Sequence, residues 1–388
     1  MTIPLRFHFI SSTETKKQTL LKMLIWVCSV LGIFTTSRLA VAADAAPDSS
    51  RLESQLKVAG EKAEQWRDLL KSVPEELRKS VQFLVEYMPE QDLKSLSPEY
   101  VKKNVELAHK VRNQTSWAKQ LPEELFMSYV LPYASVNERR DDWREEFIER
   151  FLPMVKDLKS AEEAVEKLNI EVFRTLNVKY HATKRPKPDQ SPAESIEAGY
   201  ASCTGLSILL IDACRAVGIP ARFVGTPSWT TVRGNHSWVE VFTDQWRFVG
   251  ACEPSRLDET WFLANASKAD ETNPLNRIYA TSYRKTETHF PLVWDRNIQW
   301  ISAEDVTRWY TSRRMLRVQN SASVENAVLE IRLDGQIVAF APIKDRMELD
   351  LAGGRKYEWS VINREGDGEV ISKGELEMPA DGPQTLKL

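Results

Sequence analysis

Cysteine is scarce in this chain, which has only four cysteines in 388 residues. Cys28 lies in an apolar run near the N-terminus, so Cys203, Cys214 and Cys252 are left for the rest of the protein. Three cysteines are too few for a disulfide framework, and an odd number leaves at least one thiol free. A free thiol is a candidate nucleophile, although a buried and inert cysteine is the ordinary alternative.

The signatures of several common function classes are also missing. The sequence has no CxxC or HExxH motif, so we expect no metal site. It has no GxxxxGK(S/T) or GxGxxG motif either, so nucleotide binding has no support and we predict no cofactor. The formal net charge of −3 does not give the concentrated positive field that nucleic acid binding requires. We therefore expect a peptide or protein substrate and no nucleic acid partner.

The chain lacks an apolar run long enough to span a membrane. Residues 23–34 are apolar over about a dozen residues, whereas a membrane helix needs about 20. Three lysines precede this run and small residues follow it at positions 40–42, which is typical of a secretory signal peptide. We predict a signal peptide at residues 1–43, export to the periplasm, cell envelope or medium, and no stable membrane span after signal cleavage. An uncleaved anchor is the alternative.

Helical patterns dominate the next segment. Apolar residues recur at three- and four-residue spacing, as in Leu69, Val73 and Leu77. Proline followed by acidic residues, in Ser97-Pro98-Glu99 and Leu121-Pro122-Glu123-Glu124, predicts two helix starts. We predict a helical subdomain at residues 44–160.

The hydrophobic period then changes within residues 161–312. After a proline-rich loop at 184–192, a helix-length apolar pattern runs from Leu206 to Val217. Short β-rich runs follow, and we predict strands at residues 222–225, 237–242, 246–249 and 290–294. A helix followed by antiparallel strands predicts an α+β domain.

The last part of the chain reads as all-β. Leu329, Ile331 and Leu333 alternate with polar residues, and Asp334-Gly335 predicts a hairpin turn. Several short strands within about 75 residues predict an immunoglobulin-like β-sandwich domain at residues 313–388.

One cysteine falls at a predicted helix start. The run from Ser191 to Gly205 leads directly into the apolar helix and places Cys203 at its N-terminus. The unpaired backbone amides and the positive end of the helix dipole favour a thiolate there. Taken alone, a cysteine beside an apolar helix is more often a packed core residue.

A histidine follows 33 residues later at a predicted strand start. His236 lies between the loop residue Asn235 and the β-rich run at 237–242. Histidine is the ordinary base for a thiol because its unperturbed pKa lies near neutral pH. We predict a Cys203–His236 pair, with His181 as second choice for the base.

Three segments together resemble a known family. The run from Ser191 through Gly199 to Cys203, the segment RAVGIPAR at 215–222 and the segment NHSWVEV at 235–241 resemble the transglutaminase-like superfamily over about residues 165–265. Residues 250–254 and Trp261-Phe262 are similar to a bacterial branch often predicted to be extracellular. The resemblance implies a papain-like core, in which a helix carrying the nucleophile packs on an antiparallel sheet carrying a histidine and an aspartate.

The sequence departs from this family at the third catalytic position. Gly250 stands where the family pattern has the aspartate. Glu253, three residues later, is our candidate for the acid that orients His236, and a salt bridge in a loop is the alternative. Asp244 is expected to lie in the turn between the two strands.

Other residues near the site have predicted secondary roles. The backbone amide of Cys203 is the first candidate donor to an oxyanion, and Asn169 is a second, speculative donor. Trp229 and Trp238 are predicted either to line a substrate groove or to pack in the core. Cys214 is predicted to be a core residue, and Cys252 either packs or pairs with another thiol.

These features favour a transglutaminase-like cysteine hydrolase, a peptidase or amidase that acts on amide bonds of exported or cell-envelope polypeptides. Hydrolysis is preferred over cross-linking by resemblance alone. The alternatives are a catalytically weakened binding or adhesion protein, motivated by Gly250, and a structural envelope protein.

Overall fold

The computed structural model describes residues 49–320, 326–364 and 368–388. The predicted signal peptide at residues 1–43 and Cys28 lie outside these ranges. Helices and mostly antiparallel sheets alternate along the described chain, which confirms the α+β class. Within the same ranges, no helix has both the length and the apolar character required to cross a bilayer.

The N-terminal part of the described chain is helical, and Pro98 and Pro122 lie at helix starts. Ser97 Oγ accepts a hydrogen bond from the Tyr100 amide at 3.1 Å, with Pro98 in the first turn, and another helix begins after Pro122. Both predicted starts are therefore confirmed. The helices are α1 (Ser49–Ala59), α2 (Ala63–Ser72), α3 (Glu75–Tyr87), α4 (Glu90–Ser95), α5 (Pro98–Arg112), α6 (Ser116–Lys119), α7 (Glu123–Tyr129), α8 (Arg144–Val155) and α9 (Ala161–Leu176), with a 3-10 turn at Gly60–Lys62.

The helices before α8 bury an apolar cluster of their own, whereas the buried apolar residues of α8 and α9 lie in the cluster that contains the central helix. Trp66, Val81 and Phe126 are fully buried in it, and Leu69, Val73 and Leu77 line the same core. The three- and four-residue spacing predicted from the sequence therefore marks a buried helix face.

A central helix packs against a six-stranded antiparallel sheet. The sheet order is β5-β4-β3-β6-β8-β7, and a separate parallel pair, β1 with β2, leads into the central helix α11. The elements are β1 (Lys179–Tyr180), α10 (Pro192–Ala198), β2 (Tyr200–Ala201), α11 (Cys203–Ala216), β3 (Ala221–Thr226), β4 (His236–Phe242), β5 (Trp246–Val249), α12 (Leu263–Ala266), β6 (Tyr279–Thr281), β7 (Thr288–His289), β8 (Ser302–Asp305) and α13 (Thr307–Thr311).

The strand prediction at residues 290–294 is wrong. The nearest paired strand, β7, ends at His289, and the Phe290 amide donates one further hydrogen bond to Ile301 O at 2.8 Å. Pro291 has no amide hydrogen, so the ladder cannot continue through it. The strands predicted at 222–225, 237–242 and 246–249 are confirmed as β3, β4 and β5.

The two faces of the sheet bury different partners. On one face Phe223, Val239 and Val241 pack in the same cluster as Leu206 and Leu209 of α11. On the other face Trp238, Phe242 and Phe248 pack in one cluster with residues of the C-terminal strands. Full burial of a valine, leucine or phenylalanine side chain contributes about 2 kcal/mol, so this apolar packing holds helix, sheet and C-terminal strands together as layers.

The C-terminal strands form two sheets that share this second core. One sheet has the order β11-β10-β13-β14 and the other β12-β9-β15. Asp334 and Gly335 join β10 to β11 with φ values of 51° and 80°, so the predicted hairpin turn is confirmed. The strands are β9 (Arg313–Gln319), β10 (Ala327–Leu333), β11 (Gln336–Pro342), β12 (Arg346–Ala352), β13 (Lys356–Asn363), β14 (Val370–Glu377) and β15 (Gln384–Lys387).

A buried arginine at the end of α11 fastens the helical layer to the core. The Arg215 guanidinium donates to backbone carbonyls at distances of 2.9–3.2 Å and is itself only 3% exposed. The acceptors are the carbonyls of Tyr129, Pro132, Ala134 and Ala221. One side chain thus donates to four buried carbonyls, of which Pro132 O also accepts from Arg144 Nη2 at 3.1 Å.

We expect Arg215→Met to lower the free energy of unfolding by about 3 kcal/mol, because it leaves several buried carbonyls unpaired. Urea denaturation measures this loss. Arg317→Met is the matched control, since Arg317 is an arginine with 52% side-chain exposure, and its effect should stay within about 0.5 kcal/mol. A loss below about 1 kcal/mol for Arg215→Met would contradict the role assigned to Arg215.

Candidate active site

The nucleophile candidate lies at the first residue of α11. Gly199 ends α10 with φ of 68°, a conformation that glycine adopts without strain, and the chain then runs through β2 into Cys203. Ser202 precedes the helix but caps none of its amides, and its hydroxyl donates to Pro188 O at 3.0 Å. Cys203 is partly exposed and free. Its thiol is therefore accessible at a helix N-terminus, as the sequence predicted.

One side-chain hydrogen bond joins this helix start to the start of β4. Thr204 Oγ1 and Ser237 Oγ are 3.3 Å apart in a buried contact. Thr204 follows Cys203 and Ser237 follows His236, so the two candidate catalytic residues lie at the same end of the helix–sheet layer.

The imidazole of His236 is enclosed by aromatic rings. The ring centroids of Trp261 and Phe262 are each 5.0 Å from that of His236, and Trp238 and Trp229 lie at 5.9 and 6.0 Å. Burial lowers the pKa of His236 to about 4, so its ring is neutral at pH 7. Nε2 is buried without a hydrogen-bond partner. The ring is therefore in the form that accepts a proton.

Sulfur and imidazole are not hydrogen-bonded to each other. Ser237 contacts α11, and successive strand residues face opposite sides of a sheet, so the His236 ring lies on the aromatic side of β4. In the part of the chain that the structure describes, no hydrogen bond joins Cys203 to His236. The predicted pair therefore shares one end of the fold without a direct bond.

The Glu253 carboxyl group occupies the place of the missing side chain at position 250. A Cβ atom added to Gly250 would lie 2.7 Å from Glu253 Cδ and would overlap Oε2. A side chain at 250 would share a face with Phe248, which contacts Phe262 beside His236. Burial raises the pKa of Glu253, a hydrogen bond from Trp261 partly offsets this, and Oε2 has no partner.

The turn that carries Glu253 is held by Asn169. Its Nδ2 donates to Gly250 O at 3.0 Å and to Glu253 O at 2.9 Å, and its Oδ1 accepts from Cys252 N at 2.9 Å. The predicted oxyanion donor role of Asn169 is therefore wrong, because both hydrogens of its amide group are used by the turn. Asn169 is 1% exposed and instead fixes a backbone in which Cys252 has a φ of 64°.

Trp261 is the site residue that the sequence reasoning missed as a functional group. It contacts both the His236 ring and the Glu253 carboxyl, yet it is 61% exposed. The sequence feature that could have indicated its role is the aromatic pair Trp261-Phe262 within a polar loop. Trp229 and Trp238 are instead buried and stacked on each other at 6.1 Å, so the core alternative holds for them.

The other candidates have different surroundings. His181 Nδ1 accepts hydrogen bonds from Thr183 N and Lys184 N, so in its neutral ring Nε2 carries the proton and no acceptor is left for a base. Cys214 is fully buried, and burial raises the pKa of its thiol, which confirms it as core. Cys252 is partly buried and free. Among the described residues no cluster of three or more His, Cys, Asp or Glu side chains is arranged to hold a metal ion.

The burial of His236 predicts a pH-dependent stability. The unfolded imidazole takes up a proton near pH 6.5, whereas the folded ring does so only near pH 4, so its stabilising contribution is complete above pH 6.5 and is lost as the pH falls towards 4. Between pH 7 and pH 4 we expect the wild type to lose about 3 kcal/mol more unfolding free energy than His236→Gln. Urea denaturation at both pH values measures this; parallel pH profiles would refute the buried neutral ring.

Comparisons with known proteins agree with the sequence resemblance. The family model of the transglutaminase-like superfamily matches residues 152–251. No curated protein sequence matches the chain significantly. A cysteine protease candidate from Cytophaga hutchinsonii is 17% identical with a TM-score of 0.29, covering 50% of this chain and 66% of its own, which is too distant to carry an argument. The segment from residue 152 to 251, which contains Cys203 and His236, is therefore similar to the transglutaminase-like superfamily.

Proposed function

We propose that this protein is a cysteine hydrolase that cleaves amide bonds of exported or cell-envelope polypeptides. The observation that carries the proposal is the buried hydrogen bond between Thr204 and Ser237, since it brings the start of the nucleophile helix against the start of the histidine strand. The predicted signal peptide at residues 1–43 supports a site of action outside the cytoplasm.

The proposed reaction begins with proton transfer from the Cys203 thiol to neutral His236. The thiolate attacks the amide carbonyl carbon, a C–S bond forms, and the C–N bond breaks as the imidazolium gives its proton to the departing amine. Water then attacks the thioester, releasing the carboxylic acid and restoring the thiol. The reaction requires the sulfur and the imidazole, which are not hydrogen-bonded in this structure, to meet in the substrate complex, where catalytic hydrogen bonds often tighten.

His236 Nε2 supports this role. A buried polar atom without a partner is destabilising, and such atoms in folded proteins call for a functional explanation. The neutral ring has one nitrogen that can accept the thiol proton, but the burial that lowers its pKa to about 4 makes the resulting imidazolium costly, so the proposed transfer also needs a carboxylate beside the ring.

We propose that Glu253 replaces the family aspartate. Its carboxyl group fills the space that glycine leaves at position 250, and Asn169 holds the turn that brings it there. The carboxylate would orient the imidazole and stabilise the imidazolium, as the acid of a catalytic triad does.

A binding or adhesion protein is the second candidate. The absence of a Cys203–His236 hydrogen bond in the described chain favours it. Under this alternative the C-terminal sheets, which we propose form an immunoglobulin-like domain, would dock the partner.

Thiol labelling separates the two candidates. With iodoacetamide at pH 7 we expect Cys203 to be alkylated first, and His236→Gln to slow this alkylation about a hundredfold because the proton acceptor is lost. Mass spectrometry of labelled peptides measures the rate at each cysteine. Incubation with a peptide library should give cleaved products for the wild type and none for Cys203→Ala.

Cys252→Ser is the matched control, because Cys252 is the other partly exposed thiol. It should leave the rapid labelling phase unchanged. If Cys203 is alkylated at the same rate in the wild type and in His236→Gln, and the peptide library is not cleaved, the hydrolase proposal is rejected and the binding protein is favoured.

Variants that remove the carboxylate at position 253, or move it to position 250, test the proposed role of Glu253. We expect Glu253→Gln to slow Cys203 alkylation and peptide cleavage about tenfold or more, because the imidazole loses its orienting carboxylate. Adding Gly250→Asp to Glu253→Ala should restore much of the rate, since the space beside Gly250 is then free for the aspartate.

Gly250→Asp alone should not raise the rate, because its Cβ overlaps the Glu253 carboxyl. Asp244→Asn, in the turn between β4 and β5, serves as the control and should have no effect. If Glu253→Gln matches the wild type at every pH, Glu253 is not the acid.

A further inference from the structure

One edge of the C-terminal sheets is open. The sheet order β11-β10-β13-β14 leaves β11 and β14 as its two edge strands. The β11 edge is covered by the turn between β4 and β5, because Phe340 N donates to Asp244 O at 2.7 Å. β14 pairs with β13 on one side, and no strand that the structure describes pairs with its other side. An unpaired strand edge is a template for pairing with a further strand.

The backbone groups of two charged residues face this open edge. Met378 N donates to Arg355 O at 2.9 Å, so these two residues form a hydrogen-bonded pair. Bonded and non-bonded pairs alternate along an antiparallel ladder, and Lys373 and Glu375 differ from Met378 by an odd number of residues. Their amides and carbonyls therefore point away from β13. Both side chains are also exposed.

The charges of Lys373 and Glu375 are not matched within their own sheet. The residue opposite Glu375 on β13 is Glu358, and like charges in opposite positions are destabilising. Lys373 is opposite the uncharged Ser360. Neither Lys373 nor Glu375 forms a salt bridge with a residue that the structure describes. A strand on the open edge would satisfy both if it placed a cation opposite Glu375 and an acid opposite Lys373.

The sequence of β14 supplies this complementary pattern itself. When two copies of β14 run antiparallel about a twofold axis through Gly374, Lys373 of each copy is opposite Glu375 of the other. Both residues present their backbone groups to the open edge, so the same register also allows hydrogen bonds between the two strands. Gly374 meets its own copy at the axis, where it has no side chain to keep the strands apart.

The neighbouring registers are less favourable. A shift by one residue would oppose backbone groups that face the edge to groups that are already bonded to β13. A shift by two residues in one direction places Lys373 opposite its own copy, and in the other direction it places Glu375 opposite its own copy. Each of these puts like charges in opposite positions. The charge pattern therefore selects the register centred on Gly374.

We propose that this protein forms a twofold dimer in which β14 pairs with β14 of a second copy, with Lys373 opposite Glu375. The four-stranded sheets of the two copies then continue into each other. One pair of strands buries little apolar surface, so we expect a weak dimer with a dissociation constant on the order of 100 µM. The proposal does not depend on catalysis at Cys203.

Sedimentation velocity of the full chain between about 1 and 500 µM tests the dimer. Glu375→Lys places lysine opposite lysine twice in each dimer, so it should raise the dissociation constant about tenfold or more. The double variant Lys373→Glu/Glu375→Lys should restore the wild-type constant, because both ion pairs form again with exchanged signs. Sodium chloride at about 0.5 M should weaken the wild-type dimer, since exposed ion pairs are screened by salt.

Glu287→Lys is the matched control, because it makes the same change of charge at an exposed acid outside the C-terminal strands. It should leave the dissociation constant unchanged, and circular dichroism should show that every variant is folded. A wild type that stays monomeric up to about 500 µM would overturn the proposal. So would a dimer that is unaffected by Glu375→Lys, which would show association through another part of the chain, or a double variant that stays as weak as Glu375→Lys.

Discussion

The buried contact between Thr204 and Ser237 is the constraint on which the site depends. It fixes where the first turn of α11 meets the first residues of β4, and both elements are otherwise held by apolar packing that tolerates small shifts. A buried hydroxyl pair remains satisfied only within hydrogen-bond distance, so it limits how far helix and sheet can shift against each other. Cys203 and His236 inherit their positions from that register.

The chemistry-bearing groups then differ in their surroundings although they lie close together in the fold. Cys203 is partly exposed at an open helix end, whereas His236 is enclosed by four aromatic rings and keeps a neutral ring. Enclosure stabilises the uncharged imidazole and makes the imidazolium costly, so a nearby carboxylate matters more than it would in water. We propose that the Glu253 carboxyl beside Gly250 meets that need; the exposed Trp261 ring contacts both the His236 ring and this carboxyl.

Local patterns in the sequence predicted the helix start at Cys203, the strand start at His236 and the hairpin at Asp334-Gly335, because each depends on residues within one turn or strand. The prediction failed at residues 290–294, where apolar composition indicated a strand but Pro291 removes the donor that pairing needs. The roles of Asn169 and Glu253 could not be read from spacing. Asn169 reaches a turn more than 80 residues away, and the place of the Glu253 carboxyl follows from a side chain that Gly250 lacks.

The segments that carry the family resemblance also contain residues that take no part in the proposed reaction. These residues form a buried hydrogen-bond network that holds the strands together. Arg222 donates to Glu240 at 2.7 Å, Tyr310 donates to the other oxygen of Glu240 at 2.6 Å, and Trp238 donates to Tyr310 at 2.8 Å. A buried carboxylate that loses such partners is strongly destabilising, so these residues are bound to one another more tightly than surface pairs would be. The chain of bonds begins at Trp238, which packs beside His236, and continues through Arg222 to Glu304 of β8, to which Arg222 donates at 2.9 Å. These buried polar residues keep β3, β4 and β8 in a single arrangement and so fix the strand that carries His236.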